Sequence, residues 1–301
     1  MDVNIALILL YGAIVGFLSG LVGVGGGFLT TPLLIFTGVP PIVAVASGAA
    51  QMAGTASGAS FLHWRSGNID FKMGLMLMLG SGIGGGFGVY LSRLLLRAAQ
   101  FGNAVVFLYV ILLSVTGAIM LVESLQASFR AVDTAAAGRA ARPSKSRLRS
   151  RVKYLPWQTV FKRSGVHMSA VVPIALGTAV GMLTSLMGVG GGFIMVPVMI
   201  YVLKMPTKIV VGTSLFQLLF TTAGVSIMQA GVNQAVDPIL AIILIVGSVL
   251  GTRLGAKLSA HLPAEKLRLI LALVMVAVAV KLVLTLVLVP GNAYDMTTGL
   301  Q

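Results

Sequence analysis

Long apolar stretches dominate the chain, and polar residues are largely confined to the short segments between them. Nearly continuous apolar runs cover residues 4–22, 71–91, 104–121 and 239–250. A helix needs roughly 20 apolar residues to cross ~30 Å of hydrocarbon. A transmembrane barrel would instead alternate polar and apolar positions, whereas these runs are apolar on every face. The pattern therefore predicts an all-α, polytopic membrane protein.

The same order of glycines, prolines and polar residues occurs twice along the chain. The segment 23–28, Gly-Val-Gly-Gly-Gly-Phe, recurs as residues 188–193, and further matches pair Gln51 with Gln217 and Asp70 with Asp237. An ordered series of matches indicates an internal duplication. We predict a first repeat half at residues 1–123, a basic linker at 124–166 and a second repeat half at 167–301.

Each half is predicted to contain about four full spans and one short broken-helix segment. The first spans are residues 5–22 and 169–187, and the short apolar pieces that follow are 28–38 and 193–203. Eleven residues of helix rise about 16 Å, which reaches near mid-membrane. If the short pieces cross, the halves are inverted repeats, and if they are re-entrant, the repeats are parallel. The distribution of basic residues favours inversion, with both termini periplasmic.

Basic residues are concentrated in the linker. Ten of the 21 lysines and arginines lie between Arg130 and Arg163, with almost no acidic residue among them. A nucleic-acid arm and a cytoplasmic loop in contact with anionic lipid are both compatible with this charge. Cytoplasmic loops of inner-membrane proteins carry such an excess, so we predict a multi-pass protein of the bacterial inner membrane that binds no nucleic acid.

The two triple-glycine motifs predict broken helices. Consecutive glycines are poor helix formers, and backbone groups freed inside hydrocarbon need partners or a wet cavity. A helix that begins after each break would offer N–H groups and a positive dipole end to an anion. The alternative is a tight turn without a ligand. The predicted substrate-binding residues at the breaks are Gly25, Gly26, Gly27, Phe28, Gly190, Gly191, Gly192 and Phe193.

Two matched polar stripes follow the breaks. Residues four apart share a helix face, and neutral donors suit an oxyanion that must be released again. Interhelical hydrogen bonds, worth perhaps ~0.6 kcal/mol each, are the alternative and are about equally favoured for the hydroxyls. The predicted substrate contacts are Ser47, Gln51 and Thr55 in the first half and Thr213, Gln217 and Thr221 in the second.

Two further groups have structural alternatives. His63, Arg65 and Asp70 could form a proton-sensitive gate, but an interfacial anchor beside Trp64 is the favoured interpretation. Glycines spaced by four indicate close helix packing rather than chemistry. These ladders are Gly12/Gly16/Gly20, Gly80/Gly84/Gly88 and Gly247/Gly251/Gly255.

The sequence gives no indication of an enzyme. It has no cysteine, its seven acidic residues form no pair on one helix face, and its three histidines are dispersed. No P-loop lysine follows the glycines. We therefore expect no catalytic residue, no metal site and no cofactor.

The doubled glycine motif with Pro32 and Pro197, the segments around Gln51 and Gln217, and residues 63–70 together resemble the sulfite exporter TauE/SafE family of membrane permeases. The resemblance covers nearly the whole chain except residues 124–166. It implies export of a small sulfur-containing anion, such as sulfite or sulfoacetate. Two broken helices that meet near the midplane of a duplicated protein predict transport by alternating access. An anion channel, and a membrane-embedded sensor whose linker docks a partner, are the rival interpretations. Whether the protein forms a homodimer is left open.

Overall fold

Helices make up most of the structure, a computed structural model that describes residues 5–22, 27–134, 158–161, 163–199, 205–259 and 264–287. The first half contains α1 (Ile5–Val22), α2 (Gly27–Phe36), α3 (Pro41–Arg65), α4 (Phe71–Arg97) and α5 (Phe101–Thr134). The second half contains α6 (Val171–Met187), α7 (Gly192–Pro197), α8 (Thr207–Asn233), α9 (Pro238–Ser259) and α10 (Ala264–Val287). The predicted all-α, polytopic class is confirmed.

Four of the described helices contain stretches long and apolar enough to cross a membrane, namely Phe71–Arg97, Phe101–Val122, Ile209–Asn233 and Pro238–Leu258. Shorter apolar stretches lie in α1, α2, α6 and α10. Large apolar side chains such as Leu79, Ile83 and Phe87 point away from the protein and are more than half exposed. An outer surface of this kind is matched to hydrocarbon rather than water.

The glycine ladders bring the two halves into backbone contact. A Cβ atom on Gly16 of α1 would lie 2.1 Å from the Ser248 carbonyl oxygen of α9, and one on Gly84 of α4 would lie 1.9 Å from the Thr178 oxygen of α6. Only glycine permits such an approach. The predicted packing role of the ladders is confirmed.

The order of these contacts gives the directions of the helices. Along α1, the residues Gly12, Gly16 and Gly20 meet Leu244, Ser248 and Thr252 in ascending order, so α1 and α9 run parallel. Along α4, the residues Gly80, Gly84 and Gly88 meet Ile174, Thr178 and Met182, so α4 and α6 run parallel as well.

Two further helix pairs are also parallel. The contacts Gly74–Phe216 and Ser81–Thr221 align α4 with α8, and Ser47–Asp237 and Thr55–Ser248 align α3 with α9. A short turn at residues 66–70 reverses the chain between α3 and α4. Helices α1, α3 and α9 therefore point one way, and α4, α6 and α8 point the other way.

A β-hairpin precedes the second half. Strands β1 (Gln158–Phe161) and β2 (Val166–Ser169) pair antiparallel, and Ser164 in their turn donates through its backbone N and its Oγ to Oδ2 of Asp70, at 3.1 and 2.6 Å. Nη1 of Arg163 donates to the carbonyl oxygens of Gly67 and Ile69. The hairpin is thus fastened to the α3–α4 turn.

The predicted linker, 124–166, overlaps regular structure at both ends. Helix α5 continues through Thr134, and the hairpin begins at Gln158. Residues 135–157, which hold most of the basic cluster, lie outside the described residues, so the interpretation of that cluster stays a prediction.

Candidate functional site

The first break leads into α2. Gly25 and Gly26 lie outside the described residues, and α2 begins at Gly27. The first turn of α2 is buried, with Phe28 2% exposed and Thr30 1% exposed. Because the first N–H groups of a helix have no acceptor within that helix, a buried start brings backbone donors into the interior.

The second break is built differently. Helix α6 ends at Met187, and Gly188 and Gly190 have φ angles of 70° and 51°, a left-handed conformation that favours glycine. The backbone N of Gly191 donates to Thr184 Oγ1 at 3.1 Å. The chain from Gly188 to Gly192 is buried throughout.

The helix after this break is described only in part. Helix α7 runs from Gly192 to Pro197 and includes Phe193, the chain stays helical through residue 199, and residues 200–204 lie outside the described residues. The full extent of the predicted 193–203 piece therefore stays a prediction.

The two breaks meet at one methionine. A Cβ atom on Gly27 would lie 1.9 Å from Met52 Sδ, and one on Gly190 would lie 2.6 Å from Met52 Cε and 2.6 Å from Leu218 Cδ1. Met52 and Leu218 are each 1% exposed. They occupy matching positions in the two halves, one residue after Gln51 and Gln217. The structure therefore brings the two breaks together in the protein interior, at residues that directly follow the central glutamine of each polar stripe.

The two glutamines are held by opposite ends of their amides. Thr30 Oγ1 donates to Gln51 Oε1 at 2.7 Å, whereas Gln217 Nε2 donates to Thr221 Oγ1 at 3.1 Å. Both glutamines are buried, with Gln51 2% exposed and Gln217 0% exposed. Gln217 Oε1 is buried and has no hydrogen-bond partner among the described residues.

The hydroxyls of the stripes make contacts between the halves. Thr55 Oγ1 lies 3.0 Å from Ser248 Oγ, and the equivalent Thr221 Oγ1 lies 2.6 Å from Ser81 Oγ. Thr55 also donates to the Gln51 carbonyl oxygen at 2.8 Å. These bonds join α3 to α9 and α8 to α4.

Ser47 and Thr213 lie at the starts of helices from the opposite half. Ser47 Oγ accepts from the backbone N of Asp237 at 3.1 Å, and Thr213 Oγ1 accepts from the backbone N of Asp70 at 3.0 Å. Both aspartates in turn cap their helices, since Asp70 Oδ1 accepts from Met73 N and Asp237 Oδ1 accepts from Leu240 N. The contacts of Ser47 and Thr213 match the interhelical alternative that the sequence left open.

The three residues considered for a gate do not form a cluster of charges. Asp70 is buried and serves as a helix cap fastened to the hairpin. His63 is half-buried with its Nδ1 unpartnered among the described residues, and Arg65 is exposed. No group of three metal-binding side chains occurs in the described part of the chain.

Sequence reasoning missed several residues that hold the breaks in place. Thr31 Oγ1 and the Tyr109 hydroxyl both donate to the Met187 carbonyl oxygen, at 3.1 and 2.6 Å. Gln229 Nε2 donates to the Ser185 oxygen at 3.0 Å. These bonds satisfy carbonyl oxygens at the end of α6 that find no N–H donor within the helix. The sequence indicates that a broken helix has carbonyl oxygens in need of donors. It does not indicate which side chains donate to them.

Known proteins match the chain over most of its length. A family model described as sulfite exporter TauE/SafE matches residues 8–282. Probable membrane transporter protein YunE of Bacillus subtilis is 29% identical over 241 residues, which cover 76% of this chain and 80% of the relative. Probable membrane transporter protein YjnA of the same organism is 28% identical over 243 residues, covering 80% and 85%. No solved structure matches the chain significantly.

Proposed function

The chain belongs to the sulfite exporter TauE/SafE family of membrane transporters, and from this membership we propose that it carries a small sulfur-containing oxyanion across the bacterial cytoplasmic membrane. Sulfite, or an organosulfonate such as sulfoacetate, is the proposed substrate. The observation that carries the proposal is the meeting of Gly27 and Gly190 at Met52, deep inside the protein.

Neutral polar groups surround this meeting point. The buried first turn of α2 contributes Thr30, and the helices that carry Met52 and Leu218 contribute the buried amides of Gln51 and Gln217. No basic side chain is among these residues. An anion held by dipoles rather than by a full positive charge can be released on the other side of the membrane.

We propose that the two halves are inverted repeats. Helices α1 and α3 both run parallel to α9 and therefore parallel to each other. The chain must return between them, and α2 lies in that return segment. The second half begins with α6, which runs opposite to α1. This geometry supports five passes per half, with the basic linker in the cytoplasm and both termini in the periplasm.

Alternating access supplies the transport step. Met52 fills the space between the breaks, so the described arrangement is closed at its centre. Methionine is flexible and can move without a large cost. Rocking of one set of helices against the other would displace this side chain and expose the site to one aqueous phase at a time.

Counterflow in proteoliposomes tests the proposal. Purified protein is reconstituted with unlabelled sulfite inside, and entry of trace radioactive sulfite is followed. A carrier gives saturable entry that internal sulfite accelerates. Entry that rises linearly with concentration and ignores internal sulfite would instead establish a channel. Absence of any sulfite flux in folded protein would overturn the proposed substrate.

Deletion of residues 139–153 separates transport from sensing. A carrier keeps its counterflow without the basic segment, because the residues proposed to bind the anion all belong to the helices of the two halves and the breaks between them. Loss of counterflow in a deletion variant that still folds would contradict this assignment. The full-length protein in the same lipid is the control.

A further inference from the structure

One buried acceptor in the proposed site has no donor. Gln217 Oε1 has no hydrogen-bond partner among the described residues, and the residue itself is 0% exposed. A buried acceptor left without a donor is costly, and such groups are uncommon in folded proteins. An unpaired carbonyl beside a transport site is therefore a group that a ligand can satisfy.

The unpaired state follows from a difference between the halves. In the first half, Thr30 supplies the hydroxyl that donates to Gln51. The position equivalent to Thr30 in the second half is Met195, which is buried and has no hydroxyl to donate. The same glutamine is thus satisfied in one half and left with a free oxygen in the other.

A relay of hydroxyls sets which end of the amide is free. Ser81 Oγ donates to the Met78 carbonyl oxygen at 3.1 Å, so the Thr221 hydroxyl donates to Ser81. Thr221 Oγ1 then accepts from Gln217 Nε2, which leaves Oε1 unpaired.

From these observations we infer that the site selects an oxyanion that itself carries a hydrogen-bond donor, with Gln217 Oε1 accepting that hydrogen. The inference rests on the proposed function and specifies its substrate class. Hydrogensulfite in its hydroxyl form meets the requirement, because it is a monoanion with one O–H group. The fully ionised dianion has no hydrogen to donate, and an alkyl sulfonate has a methyl or methylene group in its place.

Methanesulfonate is the discriminating probe. It has the charge of hydrogensulfite and a similar shape, but its methyl group cannot donate a hydrogen bond. We expect the purified wild-type protein to bind hydrogensulfite about tenfold more tightly than methanesulfonate, because the second ligand leaves the buried carbonyl unpaired. Sulfite affinity should also fall as pH rises through the second ionisation of sulfurous acid, while methanesulfonate affinity stays constant.

Two variants test the role of Gln217 separately. Gln217→Met removes the acceptor at similar volume, and Met195→Thr introduces the hydroxyl that the first half has at Thr30. Both changes should reduce the preference for hydrogensulfite to about twofold or less. Thermal unfolding checks that each variant is folded, and Met195→Thr keeps the test available if Gln217→Met does not fold. Gln51→Met is the matched control, since it removes the glutamine whose oxygen is already paired. It should weaken the binding of hydrogensulfite and of methanesulfonate by the same factor and so keep the preference.

The outcomes separate the inference from the proposed function. Equal wild-type affinity for hydrogensulfite and methanesulfonate would overturn the inference and leave transport of sulfur oxyanions standing. A wild-type preference that persists in both Gln217→Met and Met195→Thr would also overturn it. Failure of the folded wild-type protein to bind either anion would overturn the proposed function, and the inference with it.

Discussion

Glycines serve two different purposes in this protein, and their neighbours distinguish them. At the ladders, the atoms that face Gly16 and Gly84 are backbone atoms of another helix. At the breaks, the atoms that face Gly27 and Gly190 belong to the side chains of Met52 and Leu218. Backbone in a packed helix cannot yield, whereas a methionine can change rotamer. The ladders therefore form the fixed frame, whereas Gly27 and Gly190 lie against side chains that can move.

The largest expected effect is at a ladder. Gly84→Ala places a methyl group 1.9 Å from the Thr178 oxygen, and α4 and α6 must separate to admit it. We expect a loss of about 3 kcal/mol in the free energy of unfolding. Thermal or denaturant unfolding in detergent measures it. Gly58→Ala is the control, because nothing lies within 4 Å of that position, and equal stability of the two variants would contradict the frame assignment.

The next effect is at the second break. Gly190→Ala puts a side chain on a residue with φ of 51° and presses it against Met52 and Leu218. The left-handed conformation alone costs roughly 1–2 kcal/mol, and the flexible neighbours can adjust. We expect a destabilisation of about 2 kcal/mol in a protein that still folds. A loss as large as that of Gly84→Ala would show that this break is as rigid as a ladder.

A double-mutant cycle sharpens the comparison at the first break. Gly27→Ala would place its methyl group 1.9 Å from Met52 Sδ and should slow sulfite counterflow about tenfold, the rate equivalent of roughly 1.4 kcal/mol. Met52→Ala opens the space that the new methyl group needs. The double variant should therefore transport faster than Gly27→Ala alone. If the loss of counterflow in the double variant equals the sum of the losses in the two single variants, expressed as free energies, Met52 and Gly27 act independently.

The smallest effect is expected at the helix starts. Ser47→Ala and Thr213→Val each remove one hydrogen bond to a backbone N–H of the opposite half. Interhelical bonds of this kind are worth about 0.6 kcal/mol, so stability should fall slightly and sulfite affinity should stay unchanged. A large loss of affinity in either variant would return these residues to the substrate site.

Periodicity and composition predicted the helices well because each is an apolar segment bounded by proline, glycine or charge. The role of the ladders was equally predictable, since glycines spaced by four lie on one helix face and allow another helix to pack closely there. The residues that meet at the breaks were harder to predict from the sequence. Met52 and Leu218 are ordinary apolar residues, and only their position beside the matched glutamines marks them. Thr30 of α2 and Met195 of α7 determine which atom of each glutamine amide is hydrogen-bonded. Neither residue lies on the helix of the glutamine, so the polar stripe alone does not predict the hydrogen bond.

If the breaks open onto an interior site of an inverted-repeat protein, that site can be reached from both sides of the membrane. The chain has no native cysteine, so single-cysteine variants report without background. Reconstituted Thr30→Cys, Ser66→Cys and Gln234→Cys proteins are treated with an impermeant maleimide from one side and then from the other. We predict that position 30 reacts from both sides, while positions 66 and 234, in equivalent turns of the two halves, each react from one side and from opposite sides. Reaction of positions 66 and 234 from the same side would contradict the inverted repeats. Reaction of position 30 from neither side, or from only one, would contradict an interior site that opens to both sides.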